Sequence, residues 1–215
     1  GGRARMNIRK QMLNWTDAVL QWVPVARLRY DSRMFLRIMR VASWRNGFAV
    51  MRKLGDVRDG VCARYGNVLG NLVLAIAGLL NGCRYCGVGH LYAANLYYFQ
   101  STGKLLPIDE RQTHQLQCMP FEELNDYIRD SLSDSEFAEM SRVMQRVLHL
   151  RLGNRPETAE DHEIEHVIDV WNFVNECTIP FGYDAKIEHL GPALSDPVPL
   201  DVIRRYQQAR ERTRK

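Results

Sequence analysis

From about Val57 to Leu80 apolar residues recur at helical spacing and grow denser along the run, which stops at Asn81-Gly82. A helix this apolar is stable in water only when other helices cover it, so the chain must supply partners that each carry one apolar face. It does. Ile8, Met12, Leu13, Val19 and Leu20 mark an amphipathic helix stopping before Pro24, and Arg33 to Val41 carries Met34, Ile38 and Met39 at the same spacing. A further helix is predicted from about Arg84 to Gln100, ending before Gly103.

Leu105 to Pro120 reads as a loop with little regular structure, and Pro120-Phe121-Glu122-Glu123 opens a short helix. Ser133-Asp134-Ser135-Glu136 is a capping signal for the next one, with Phe137, Met140, Val143, Met144 and Val147 facing inward. Gly153 to Pro156 is a turn, and Thr158 caps a helix from about Ala159 to Cys177, closed by Pro180. After a segment bearing Gly182, Gly191, Pro192, Pro197 and Pro199, a terminal helix covers about Leu200 to Arg212. Strand patterns are hard to find, so the expected fold is all-α: a core over 56–190, a helical extension over 1–55 packed on it, and a helix with a basic tail over 191–215.

The chain is 46% hydrophobic and 25% charged over 215 residues, enough apolar material for one sizeable core. A net charge of +4 is mild and argues for neither nucleic-acid nor membrane partners. Basic residues collect at the ends (Arg3, Arg5, Arg9, Lys10; Arg204, Arg205, Arg210, Arg212, Arg214, Lys215) and read as solvated tails. The longest apolar stretch, Leu72 to Leu80, is short for a bilayer, and no signal peptide is visible, so a cytoplasmic location with reduced thiols is expected. Five cysteines, an odd number, argue against a disulfide framework; Cys62, Cys118 and Cys177 read as small buried hydrophobes.

Cys83 and Cys86 are different. Their C-x-x-C spacing sits where a turn feeds a helix, and residues three apart in a first helical turn come close enough for a disulfide. Thiols there lie beside unpaired backbone N–H groups and the positive end of the helix dipole, which favours thiolate. His90 follows Cys86 by four residues, on the same helix face, where it can exchange a proton with the sulfur directly or through water. No acidic residue occurs between Asp59 and Asp109, and Arg84 adds positive charge. Zinc would need a fourth ligand, and His114 and Cys118 do not form a second paired motif, so redox chemistry is favoured over a zinc knuckle or inert thiols.

Asn81-Gly82-Cys83-x-Tyr85-Cys86-x-x-x-His90 resembles the signature of the alkyl hydroperoxidase D (AhpD)-like branch of the carboxymuconolactone decarboxylase superfamily. The apolar helix before it and the helix Leu91 to Phe99 after it fit the same pattern. Val170-Trp171-Asn172-Phe173-Val174-Asn175 is a weaker echo. The resemblance is good over Val57 to Phe99 and loose over Phe137 to Asp184. It implies an all-α bundle that assembles into trimers or larger rings. It also implies thiol-dependent reduction of hydroperoxides, or disulfide exchange, without a bound cofactor or metal and with an external dithiol as reductant. By resemblance Cys86 attacks, Cys83 resolves, and His90 belongs to a proton relay. The family usually has a relay glutamate twelve residues before the first motif cysteine; here that position is Asn71. An amide can orient His90 but cannot accept and return a proton as a carboxylate does. Three alternatives follow: a relay shortened to His90 and water, a carboxylate from elsewhere (Asp169 or Glu176), or a protein that mainly exchanges disulfides. Tyr85, between the cysteines, is the aromatic residue expected to touch substrate, while Tyr92, Tyr97, Tyr98 and Phe99 read mostly as core and subunit interface.

Two other readings belong to different classes. The first is a non-enzymatic helical interaction protein that retains the motif as a relic. The second is a zinc hydrolase, since His162-Glu163-Ile164-Glu165-His166 is a literal H-E-x-x-H, with Glu188 as a third ligand. The middle positions of such motifs are normally uncharged, yet Glu165 is acidic and Glu160 and Asp161 precede it. The segment therefore reads as the solvated start of an amphipathic helix with Ile164, Val167, Ile168 and Trp171 inward.

Overall fold

A computed structural model describes residues 32–178 and 198–213 of the chain. The predicted helix at Ile8–Leu20, the Gly/Pro-bearing segment up to Pro197, Glu188, the amino-terminal basic cluster, Arg214 and Lys215 lie outside the described residues, as does the side chain of Cys177. The fold is all-α, with no strand among the described residues.

The first helical run, α1 (Ser32–Leu80), spans 49 residues and is broken twice, at Ser43 (φ 68°) and Gly66 (φ 77°). Gly66 takes a left-handed conformation that only glycine adopts without steric cost. The expected start at Val57 is therefore not a boundary: helix continues upstream of it, and the break lies at Gly66. By length and composition Arg52–Leu80 could cross a membrane, but 61% of its most apolar window is buried inside this molecule. It is the central helix of a bundle. Ile38, Leu54, Val61 and Leu69 to Leu79 all contribute to one core.

The carboxy-terminal end of α1 closes with two crossed hydrogen bonds, Cys83 N–H to Gly78 O (2.9 Å) and Gly82 N–H to Leu79 O (3.0 Å), with Gly82 at φ 80°. That is a Schellman ending, the stop that Asn81-Gly82 announces in the sequence. It turns the chain at once into α2 (Arg84–Thr102), which ends at Gly103 in the left-handed conformation.

The expected loop at Leu105–Pro120 is in part regular: a 3-10 turn at Glu110–Gln112 leads into α3 (Thr113–Cys118). Asp109 and Gln112 form a reciprocal capping box, and this Asp-x-x-Gln spacing is the signal that a reading for long apolar periodicity passes over. Helices α4 (Phe121–Ser131), α5 (Ala138–Arg151), α6 (Ala159–Thr178) and α7 (Leu200–Arg212) follow. Thr158 caps α6 by accepting the Asp161 N–H (3.1 Å), and Asp161 returns the favour to the Glu157 and Thr158 N–H groups (both 2.9 Å) while paired with Arg146.

The long run α1 packs chiefly on α2, then on α6 and α5. Tyr92, Leu96 and Phe99 of α2 are covered by Val202, Ile203 and Tyr206 of α7. These aromatics are thus core, and the terminal helix is their cover. One basic residue at this end is not a solvated tail: Arg210 is 6% exposed, because its guanidinium bonds Tyr206 Oη, Asn95 Oδ1 and the Leu106 carbonyl.

Candidate active site

The Schellman turn delivers Cys83 as the N-cap residue of α2, where its sulfur accepts the Cys86 backbone N–H (3.3 Å). Close approach of the two helices allows this. A Cβ on Gly78 would lie 2.7 Å from Cys86 Cβ and 3.0 Å from Gly87 N, and one on Gly87 would strike the Leu79 side chain at 2.6 Å. The small residues at 78 and 87 let the end of α1 and the first turn of α2 lie against each other with the thiols between them. Both cysteines are reduced and buried, each 5% exposed.

The pair is electrostatically unequal. The Cys86 thiol donates to the Cys83 sulfur, and the Cys86 and Tyr85 backbone N–H groups also point at it, so the Cys83 thiol is held below its ordinary value. Cys86 is pushed well up, first because its proton serves Cys83 and second because it is buried. Of the two sulfurs, Cys83 is thus the one whose thiolate the helix amino terminus favours.

His90 and Asn71 are brought together: His90 Nδ1 and Asn71 Oδ1 are 2.9 Å apart, in the core. Asn71 Nδ2 donates to the Asn67 carbonyl (2.7 Å) and lies 3.7 Å from Cys62 Sγ, which fixes Asn71 Oδ1 as an acceptor. His90 must then carry its proton on Nδ1, leaving Nε2 basic. Burial, and secondarily the charge of Arg58, lower the His90 pKa to about 3, so the ring is neutral at neutral pH. Trp171 of α6 flanks the imidazole, with ring centroids 5.7 Å apart, and its buried indole N–H has no acceptor among the described residues.

The two remote carboxylates do not complete this relay. Asp169 and Glu176 are exposed, because they sit on the outer face of α6 while Ile168 and Trp171 point inward. Tyr85 is 2% exposed and part of the core, so it is a wall of the thiol site rather than a surface contact. Cys62 is half-buried beside Asn71, and Cys118 is exposed at the end of α3, so neither is the fully buried hydrophobe expected. Arg58 carries no sequence signal: nothing in a single arginine on a charged stretch shows that the fold will bury it, yet only 6% remains exposed. Gly78 was legible in principle, as the one residue without a side chain in the run Leu72–Leu80.

The H-E-x-x-H string takes another course. His162 is 66% exposed beside Glu165, and Glu163 pairs with Arg64 of α1. Both histidines border an open groove of about 680 Å³ between α1 and α6, but no three His, Cys, Asp or Glu side chains converge into a ligand set among the described residues.

Compared with known proteins, the chain matches no family model, no curated sequence and no solved structure.

Proposed function

We propose that Cys83 and Cys86 form a redox-active thiol–disulfide pair that reduces a small hydroperoxide and is restored by an external dithiol. The observation that carries this reading is a pair of buried thiols at a helix amino terminus, with the Cys86 backbone N–H donated to the Cys83 sulfur, one turn before a histidine bonded to Asn71. Burial favours a small oxidant over a protein disulfide, because little of either sulfur reaches the surface.

In the proposed cycle the Cys83 thiolate attacks one peroxide oxygen, the O–O bond breaks, and the leaving alkoxide takes a proton to become the alcohol. Cys86 then gives up its proton and attacks the Cys83 sulfenic acid, forming the disulfide and releasing water. His90 lies one helical turn after Cys86; so weakly basic a ring takes the Cys86 proton at Nε2 only as it is handed to the hydroxide departing from Cys83, which leaves as water. Trp171 N–H is available as a buried donor beside it. Asn71 supplies orientation alone. The opposite order, with Cys86 attacking first, is the one that the AhpD-like resemblance implies, and it is favoured by the place of His90 on the Cys86 face.

The test is hydroperoxide consumption with a dithiol reductant, run alongside sulfenic-acid trapping in Cys83→Ser and Cys86→Ser. Turnover should require both cysteines. A sulfenate trapped in Cys86→Ser but not in Cys83→Ser supports Cys83 as the attacking sulfur; the converse supports the order implied by resemblance. If neither variant traps a sulfenate and the wild type consumes no peroxide, the pair is not a peroxidase and the non-enzymatic reading replaces it.

A further inference from the structure

A cavity of about 560 Å³, lined by none of the thiol-centre residues, opens between the Glu110–Gln112 turn, the start of α3 and the end of α7. Its polar lining is Asp109, Arg111, Gln112, His114, Gln115 and Arg210. What matters is which atoms are already engaged. Asp109 Oδ1 accepts the Arg111 backbone N–H (2.9 Å). Gln112 Oε1 accepts from Asp109 N (3.3 Å) and from Tyr127 Oη (2.8 Å), so its Nε2 is what remains to donate. The neighbouring Glu110 faces away into the core, where Tyr206 Oη donates to it (2.5 Å).

The donors are in the opposite condition. Arg210 directs Nε and Nη2 to Tyr206 Oη (2.9 Å), Asn95 Oδ1 (2.5 Å) and the Leu106 carbonyl (2.8 Å), and Tyr206 links it to the Glu110 carboxylate. Arg111 Nη1 is buried with no hydrogen-bond partner among the described residues. Two arginines therefore belong to the lining of one cavity, together with the Asp109 carboxylate, and Arg111 Nη1 is the buried donor there without a partner among the described residues. A buried guanidinium N–H left without an acceptor is costly, and a guanidinium matches the two oxygens of a carboxylate or phosphate.

We propose that this cavity is a binding site for a small oxyanion, the carboxylate or phosphate group of a ligand, held by Arg111 and Arg210 with Gln112 Nε2 as a third donor. The site is independent of the thiol chemistry. Because Arg210 belongs to α7 and Arg111 to the turn before α3, an occupied site also joins the terminal helix to the rest of the bundle, and ligand should raise thermal stability by mass action.

The test titrates the full chain with inorganic phosphate and, separately, with succinate, at an ionic strength held constant with chloride, following heat of binding and thermal midpoint. Saturable binding of one probe, with a rise in midpoint, is the expected result, and the probe that binds identifies phosphate or carboxylate as the ligand group. Arg111→Gln should weaken it at least tenfold, with Arg111→Lys recovering part. Gln115→Glu, an exposed position where the new charge costs no burial, should weaken it as well and covers the case in which Arg111→Gln misfolds. Binding that chloride matches, that neither variant changes, or that no probe shows would overturn the proposal.

Discussion

Two stretches of this chain carry the residue types of a catalytic site, and the fold treats them oppositely. Cys83, Cys86 and His90 lie between α1, α2 and α6, with His90 1% exposed and fixed by Asn71. His162, Glu163 and His166 lie along an open groove, where Glu163 is engaged with Arg64. Both motifs have helical spacing that puts their members on one face. What separates them is the face: a motif that faces the core acquires fixed neighbours that set its proton affinity, whereas one that faces solvent meets water and screened ion pairs.

The largest effect should come from His90. Replacing it with Gln removes the base nearest Cys86 while keeping a hydrogen bond to Asn71 possible; the rate of peroxide-driven disulfide formation is expected to fall by about 10²-fold, the lower range for general acid–base catalysis. Stopped-flow thiol oxidation measures it, and an unchanged rate would reduce His90 to packing. The double variant of His162 and His166 to Ala is the contrasting control.

The next effect concerns how the core-facing motif is built. Gly78→Ala forces a Cβ to within 2.7 Å of Cys86 Cβ, so α1 and α2 must separate. Overpacking of this kind costs about 1–3 kcal/mol, readable by denaturant unfolding. The yield of the Cys83–Cys86 disulfide should fall in parallel, which a pure loss of stability would not produce below the unfolding transition.

A third test uses pH. The folded-state pKa of His90 is depressed to about 3, against about 6.5 when unfolded. Between these values the unfolded chain binds a proton that the folded one does not, so stability falls as pH drops from about 6.5 towards 3, by at most on the order of 5 kcal/mol. Above about 6.5 the penalty is absent. His90→Gln should flatten this part of the profile relative to wild type; parallel profiles would mean the ring is not held neutral by burial. The smallest effect is that of the His162/His166 double variant, expected to change stability by less than about 0.5 kcal/mol and to leave thiol oxidation unaltered.

Much of the fold could be read from the sequence because its helices are long and amphipathic and their stops are chemical: Asn81-Gly82 ends α1 in a Schellman turn, and Thr158 caps α6. The break at Gly66 and the short α3 are not legible in this way, since one glycine inside a helical pattern is ordinarily tolerated and a helix of 6 residues carries too little periodicity. At the thiol centre, Cys83, Cys86 and His90 were legible as a motif, and the Asn71–His90 contact as a possible hydrogen bond. The inequality of the two thiols was not, because it depends on which sulfur the helix N–H groups reach. Arg58 and Arg210 show the same limit: burial of a charge is decided by partners far away in sequence, such as Asn95 for Arg210.

The central claim is that Cys83 and Cys86 are a reversible redox couple, and equilibrating the protein in dithiol/disulfide buffers while counting free thiols tests it most directly. The account predicts that two thiols disappear together at one midpoint within the cytosolic range, and that Cys86→Ser abolishes the step. A pair that stays reduced under strong oxidant, or that is already occupied by stoichiometric zinc, would contradict it.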